Sequence, residues 1–110
     1  ALDPDIIFLD PGNMNLVMDE YTTNPDYFKS VRAVQNGKVY TMPSFNNCGM
    51  NISYALMNAY YAGIILFPEE FSDVDIAHKS SEILIFFLGQ NTYHTMAEGG
   101  LYYGSITIGE

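Results

Sequence analysis

The chain has 110 residues, 48% of them hydrophobic and 15% charged, which suits one ordered domain and leaves no room for a second core. Thirteen acids against four bases give a net charge of −9, and Lys29, Arg32, Lys38 and Lys79 are scattered singly. A phosphate backbone would be repelled, so nucleic acid is not an expected partner. Cys48, alone of its kind, can form no internal disulfide and has no companion at metal-ligand spacing. The most apolar stretch, Ile52–Phe67, carries Ser53 and Asn58 and is short for a bilayer. Ala1-Leu2-Asp3-Pro4-Asp5 has neither a basic region nor an apolar run, so the chain reads either as cytosolic or as a piece whose export signal lies elsewhere.

In chain order, Asp3-Pro4-Asp5 is turn chemistry. The continuous apolar run Ile6-Ile7-Phe8-Leu9, closed by Asp10-Pro11-Gly12-Asn13, predicts a strand buried on both faces, as in a parallel sheet covered by helices. Asn15–Thr22 has weak helical character. Asn24 then caps a helix with Pro25 in its first turn, running to about Val31. Asn36-Gly37 marks a tight turn, and Lys38–Met42 is a second strand ending at Pro43. After a polar loop, Asn51 is placed to cap a long helix, Ile52–Leu66, apolar nearly all round and ended by Pro68. Asp75 caps a further helix, Ile76–Leu88, with Ile76, Ile83, Leu84, Phe87 and Leu88 expected on its packed side and Gly89 as its stop. The Gly- and Tyr-rich tail, with Ile106 and Ile108 alternating, predicts an edge strand. This order predicts an α/β fold, a small parallel-type sheet flanked by helices, as a single domain over residues 1–110. So thin a sheet reads as part of a larger lobe.

In open α/β sheets ligands bind in the crevice at the carboxyl ends of the strands. Two loops follow strands here, 10–13 and 43–51. They offer Asp10 and Asn13 from the first, and Phe45, Asn46, Asn47 and Asn51 from the second. Carboxamides donate and accept, and an adjacent aromatic adds a flat apolar contact. Asp10 either braces the Pro11-Gly12 turn or faces a ligand. Its position at a strand end also matches the phospho-acceptor of receiver domains, although the few residues before it leave no place for the acidic pair that holds Mg²⁺ there. His78 and His94 read as solvated, and no nucleophile–base–acid set or Gly-rich phosphate loop is present. No catalytic residue, metal ligand or cofactor is therefore expected. Glu69-Glu70 and Asp73 with Asp75 read as a solvated turn and a helix cap. Of nine tyrosines, Tyr60 and Tyr61 read as packing residues.

Several stretches together resemble one family. Pro4-Asp5-Ile6-Ile7-Phe8-Leu9-Asp10 is similar to the "NPDVIFLD" strand of the substrate-binding proteins that serve ABC importers of iron-siderophores, haem and cobalamin. Ala33-Val34-Gln35-Asn36-Gly37-Lys38-Val39-Tyr40 resembles that family's "AVKNGKVY" segment, in the same order. Ala55–Gly63 and Phe67-Pro68-Glu69-Glu70-Phe71 look like one of its subgroups. The resemblance implies a non-enzymatic, two-lobed, extracytoplasmic protein, in the periplasm or lipid-anchored, of which this chain is the C-terminal part of the second lobe. Its ligand would be a metal chelate, a ferric siderophore before haem or cobalamin, held in the cleft between lobes. Its partners would be the N-terminal lobe of the same polypeptide and a membrane permease, and an isolated fragment could dimerise through an open sheet edge. By position, cleft-facing residues fall in Asp10–Asn13 and Ser44–Tyr54, which adds Tyr54 to the candidates. The second loop departs from the subgroup: Ser53 stands near where an acid is usual, leaving Glu69 or Glu70 as substitutes for permease docking. The alternatives are a receiver-like signalling domain with Asp10 as phospho-acceptor, or a structural or oligomerisation domain without ligand.

Overall fold

The computed structural model describes residues 3–45 and 51–108. Strand β1 (Ile7–Leu9) opens the chain and leads through a 3₁₀ turn (Pro11–Asn13) into helices α1 (Met14–Thr23), α2 (Pro25–Ser30) and α3 (Arg32–Gln35). Strand β2 (Val39–Thr41), helices α4 (Ile52–Leu66), α5 (Ile76–Leu88) and α6 (Tyr93–Glu98), and strand β3 (Gly104–Ser105) follow. The expected small, helix-flanked sheet is present. β1 and β2 are parallel, Phe8 opposite Tyr40. The tail contributes β3, antiparallel to β2, so the sheet is mixed in the order β1-β2-β3.

Local signals set the long helices where the sequence places them. Asn51 Oδ1 accepts from Tyr54 N–H at 3.2 Å and so caps α4. Asp75 Oδ1 does the same for α5, accepting from Ala77 N–H at 2.9 Å. Gly89, at φ +73°, takes the left-handed conformation that stops α5. Near the end of α4, Gly63 lets the ring of Phe71 lie directly on the helix; a Cβ there would fall 2.5 Å from Phe71 Cζ. Arg32 ties the start of the chain to α3, donating from its backbone N–H to Asp3 and from its guanidinium to Asp3 and Asp5. The backbone donor of Arg32, followed by its side chain, holds the Asp3 carboxyl below its ordinary range.

The core lies between α4, α5 and α6, where Met57, Ile83, Leu84 and Met96 pack with Tyr54, Tyr60, Tyr93, Leu101 and Tyr103 around them. An aromatic group joins the sheet to α4: Tyr61 packs at a tilt against Tyr103 with centroids 4.6 Å apart, and the rings of Phe8 and Tyr40 meet it edge-on. Burial pushes the Tyr61 hydroxyl up to about 12 and raises that of Tyr103 as well.

Two expectations are corrected. β1 is only half-buried rather than buried on both faces, because it stands at the edge of the sheet among the described residues. On α5 only Ile83 and Leu84 of the expected stripe are well packed, while Phe87 and Leu88 are exposed along with Ile85 and Phe86, the last at 82%. Residues 83–88 are apolar all round, and one neighbouring helix can cover one stripe only. Ile52, Leu56 and Leu66 of α4 are exposed as well. With a radius of gyration of 15.0 Å, the chain is more open than a compact domain of its length, for which about 13 Å is expected. Among the described residues no helix is long and apolar enough to cross a membrane.

Candidate ligand-binding site

Parallel pairing brings the carboxyl ends of β1 and β2 to the same edge, and the turn after β1 and the segment before α4 meet there. Between them lies an open cleft of about 460 Å³, lined by Asp10, Gly12, Asn13, Ser44, Asn51, Tyr54 and Leu101. Four candidate residues from two distant segments, Asp10 and Asn13 of the first turn and Asn51 and Tyr54 at the start of α4, are thus brought together. Phe45 lies outside this lining, in an adjoining shallower recess of about 230 Å³ that shares Asp10 and Ser44 and includes Phe8, Met42, Pro43 and Asn58. Asn46, Asn47 and Cys48 fall outside the described residues.

Each lining group is held by its own chain. Asp10 Oδ1 accepts from Gly12 N–H at 2.9 Å, and its Oδ2 accepts from the Asn13 side-chain amide at 3.1 Å. The carboxylate therefore braces the turn while still bordering the cleft, so bracing and facing a ligand are not exclusive. Asn51 Oδ1 accepts from Ser53 Oγ–H at 2.6 Å as well as from Tyr54 N–H. The Asn51 N–H donates to the carbonyl of Phe45, which ties together the two ends of the second loop.

Behind this edge, Asn58 is a strut. Buried on α4, it donates from Nδ2 to the carbonyl of Pro43 at 2.7 Å and accepts from the Tyr103 hydroxyl at 2.6 Å. Thr41, at the end of β2 and fully buried, donates to the carbonyl of Tyr102 at 2.7 Å. Together these bonds fasten the loop after β2, the long helix and the returning tail to one another. Sequence reasoning missed both residues as site supports. A carboxamide inside an otherwise apolar helix was the available signal, because a buried amide must find partners. Leu101 carried no such signal: it reaches the cleft through the pairing of β3, which is remote in sequence.

The remaining candidates lie elsewhere. Glu69 and Glu70 are exposed, beside Leu66 and Phe67, in a shallow dent after the far end of α4, and 15 helical residues span about 22 Å from the cleft end. His78 and His94 stand on exposed helix faces, each Nε2 about 3 Å from a glutamate four positions on, Glu82 and Glu98. Among the described residues no three His, Cys, Asp or Glu side chains converge; the acidic companions that a receiver-like Asp10 needs for Mg²⁺ do not gather around it.

No protein-family model matches the chain. Over 39 residues it is 44% identical to the Fe(3+)-citrate-binding protein YfmC of Bacillus subtilis (strain 168). That stretch is 36% of this chain and 12% of the relative, so the similarity touches only a small part of the longer protein.

Proposed function

We propose that this chain is the C-terminal part of the second lobe of an extracytoplasmic solute-binding protein, and that it captures a ferric chelate for an ABC importer without chemical turnover. The observation that carries the reading is the cleft itself. Two carboxamides and a carboxylate from loops that follow parallel strands, with a phenol from the first turn of α4, border one open recess large enough to seat part of a chelate. The similarity to an iron-citrate-binding protein supports the same ligand class. Ferric siderophores are the first candidates, with haem and cobalamin behind them.

Two surface features support a larger body. The apolar residues left exposed on α4 and α5, and β1 at the sheet edge, are surfaces that further strands and the N-terminal lobe would cover. In an isolated fragment the same surfaces favour dimerisation. The net charge of −9 suits docking against basic permease loops, with Glu69 and Glu70 as contacts remote from the cleft.

Tyrosine-fluorescence quenching of the full-length polypeptide, titrated with ferric siderophores, haem and cobalamin, tests the proposal. Saturable quenching at micromolar or lower concentration by one of them is the expected result. A flat response to every compound would remove iron and corrin uptake.

A further inference from the structure

Resting on that reading, the electrostatics of the cleft narrow the ligand class: we infer that this lobe selects ferric chelates that are neutral or positively charged, such as trihydroxamates, over anionic ones such as ferric citrate. The described lining holds one carboxylate, Asp10, and no Lys, Arg or His. Residues 46–50, Asn-Asn-Cys-Gly-Met, add no charged side chain to the second loop.

The four cations of the chain are placed elsewhere. Arg32 is held by Asp3 and Asp5, on the amino side of β1. Lys38 precedes β2 and so stands at the opposite end of the strand from the cleft. Lys79 pairs with Glu82 at 2.8 Å and lies over the ring of Tyr60, and Lys29 belongs to the last turn of α2.

Two features of the cleft favour anions, the N-terminus of α4 and that of α1, which begins directly after Asn13 and whose leading turn Asp10 caps. Each carries a partial positive charge of about half an elementary charge, and side chains already satisfy N–H groups at both, Asn51 that of Tyr54 and Asp10 that of Gly12. The full charge of Asp10 offsets the two termini, and the field of a chain that carries −9 overall disfavours anions beyond that. A chelate in which three hydroxamates neutralise Fe³⁺ meets the carboxamides and the Tyr54 ring without electrostatic cost. An added ammonium group on it would be attracted by Asp10, whereas the free carboxylates of a citrate complex would be repelled.

Competition binding to the full-length polypeptide decides this, using a neutral ferric trihydroxamate, the same chelate bearing a free amine, and ferric citrate. The trihydroxamates are expected to bind at least about tenfold more tightly than ferric citrate. Raising salt from about 0.05 to 0.5 M should weaken the amine-bearing chelate and leave the neutral one unchanged. D10N should shrink the advantage of the amine-bearing chelate over the neutral one, a ratio unaffected by a general loss of folded protein. Ferric citrate binding as tightly as the trihydroxamates, or tighter, would overturn the inference while leaving chelate capture in place. No binding of any of the three would overturn the inference, and a flat response to haem and cobalamin as well would overturn both.

Discussion

Asn58→Ala is expected to lower the stability of the chain by about 3 kcal/mol in chemical denaturation. Asn58 is 7% exposed and makes two short bonds, one to the Pro43 carbonyl and one from the Tyr103 hydroxyl. Each bond contributes on the order of 1 kcal/mol net when both partners are removed, whereas a buried partner left stranded costs about 1–3 kcal/mol. The substitution strands two such groups and leaves a small void. Tyr103→Phe, which strands the Asn58 carbonyl alone, should cost about half as much. The consequence reaches the cleft, because Pro43 precedes Ser44 in its lining. A loss below about 0.5 kcal/mol for Asn58→Ala, the range of an ordinary surface change, would show that the strut is not formed.

The second large effect lies at Gly63, where an added Cβ would stand 2.5–2.8 Å from three ring atoms of Phe71. Alanine there gains about 1 kcal/mol of helix propensity, which offsets much of the crowding. Valine forgoes most of that gain and adds branched bulk against the ring, so Gly63→Val should destabilise by about 2–3 kcal/mol. Combined with Phe71→Ala, the two losses should fall short of their sum by about 1 kcal/mol or more, since removing the ring makes room for the side chain. Strict additivity in this double-mutant cycle would mean that the ring does not rest on the glycine.

Much of the fold was legible because its punctuation is local. Asn51, Pro68, Asp75 and Gly89 bound α4 and α5 through hydrogen bonds and dihedral preferences that act over a few residues. α6 was not foreseen: it is six residues long and starts at Thr92 without a side-chain cap, so the sequence around His94 shows only a polar segment. α3, four residues between an extended Val31 and the Asn36 turn, is equally short of signals. The packed side of α5 was misjudged at Phe87 and Leu88, because a run apolar in every direction does not say which face meets a neighbour.

Most of the candidate site followed from one rule, that parallel strands present their carboxyl ends together. That rule brought Asp10, Asn13 and Asn51 into view from two loops, and the family resemblance added Tyr54. It could not reach Leu101, or the bonds that Thr41 and Asn58 make to the tail, since these depend on an antiparallel pairing between segments some sixty residues apart, Tyr40 with Ser105 and Thr41 with Gly104.

The most direct test of a chelate-binding cleft is amide chemical-shift mapping of the full-length polypeptide, titrated with a diamagnetic gallium(III) trihydroxamate. Saturable shifts centred on Gly12, Asn13, Ser44, Asn51, Tyr54 and Leu101 are the predicted result. Saturable shifts confined to the exposed α4–α5 face around Leu56, Ile83 and Phe86, or no shifts at all, would contradict it.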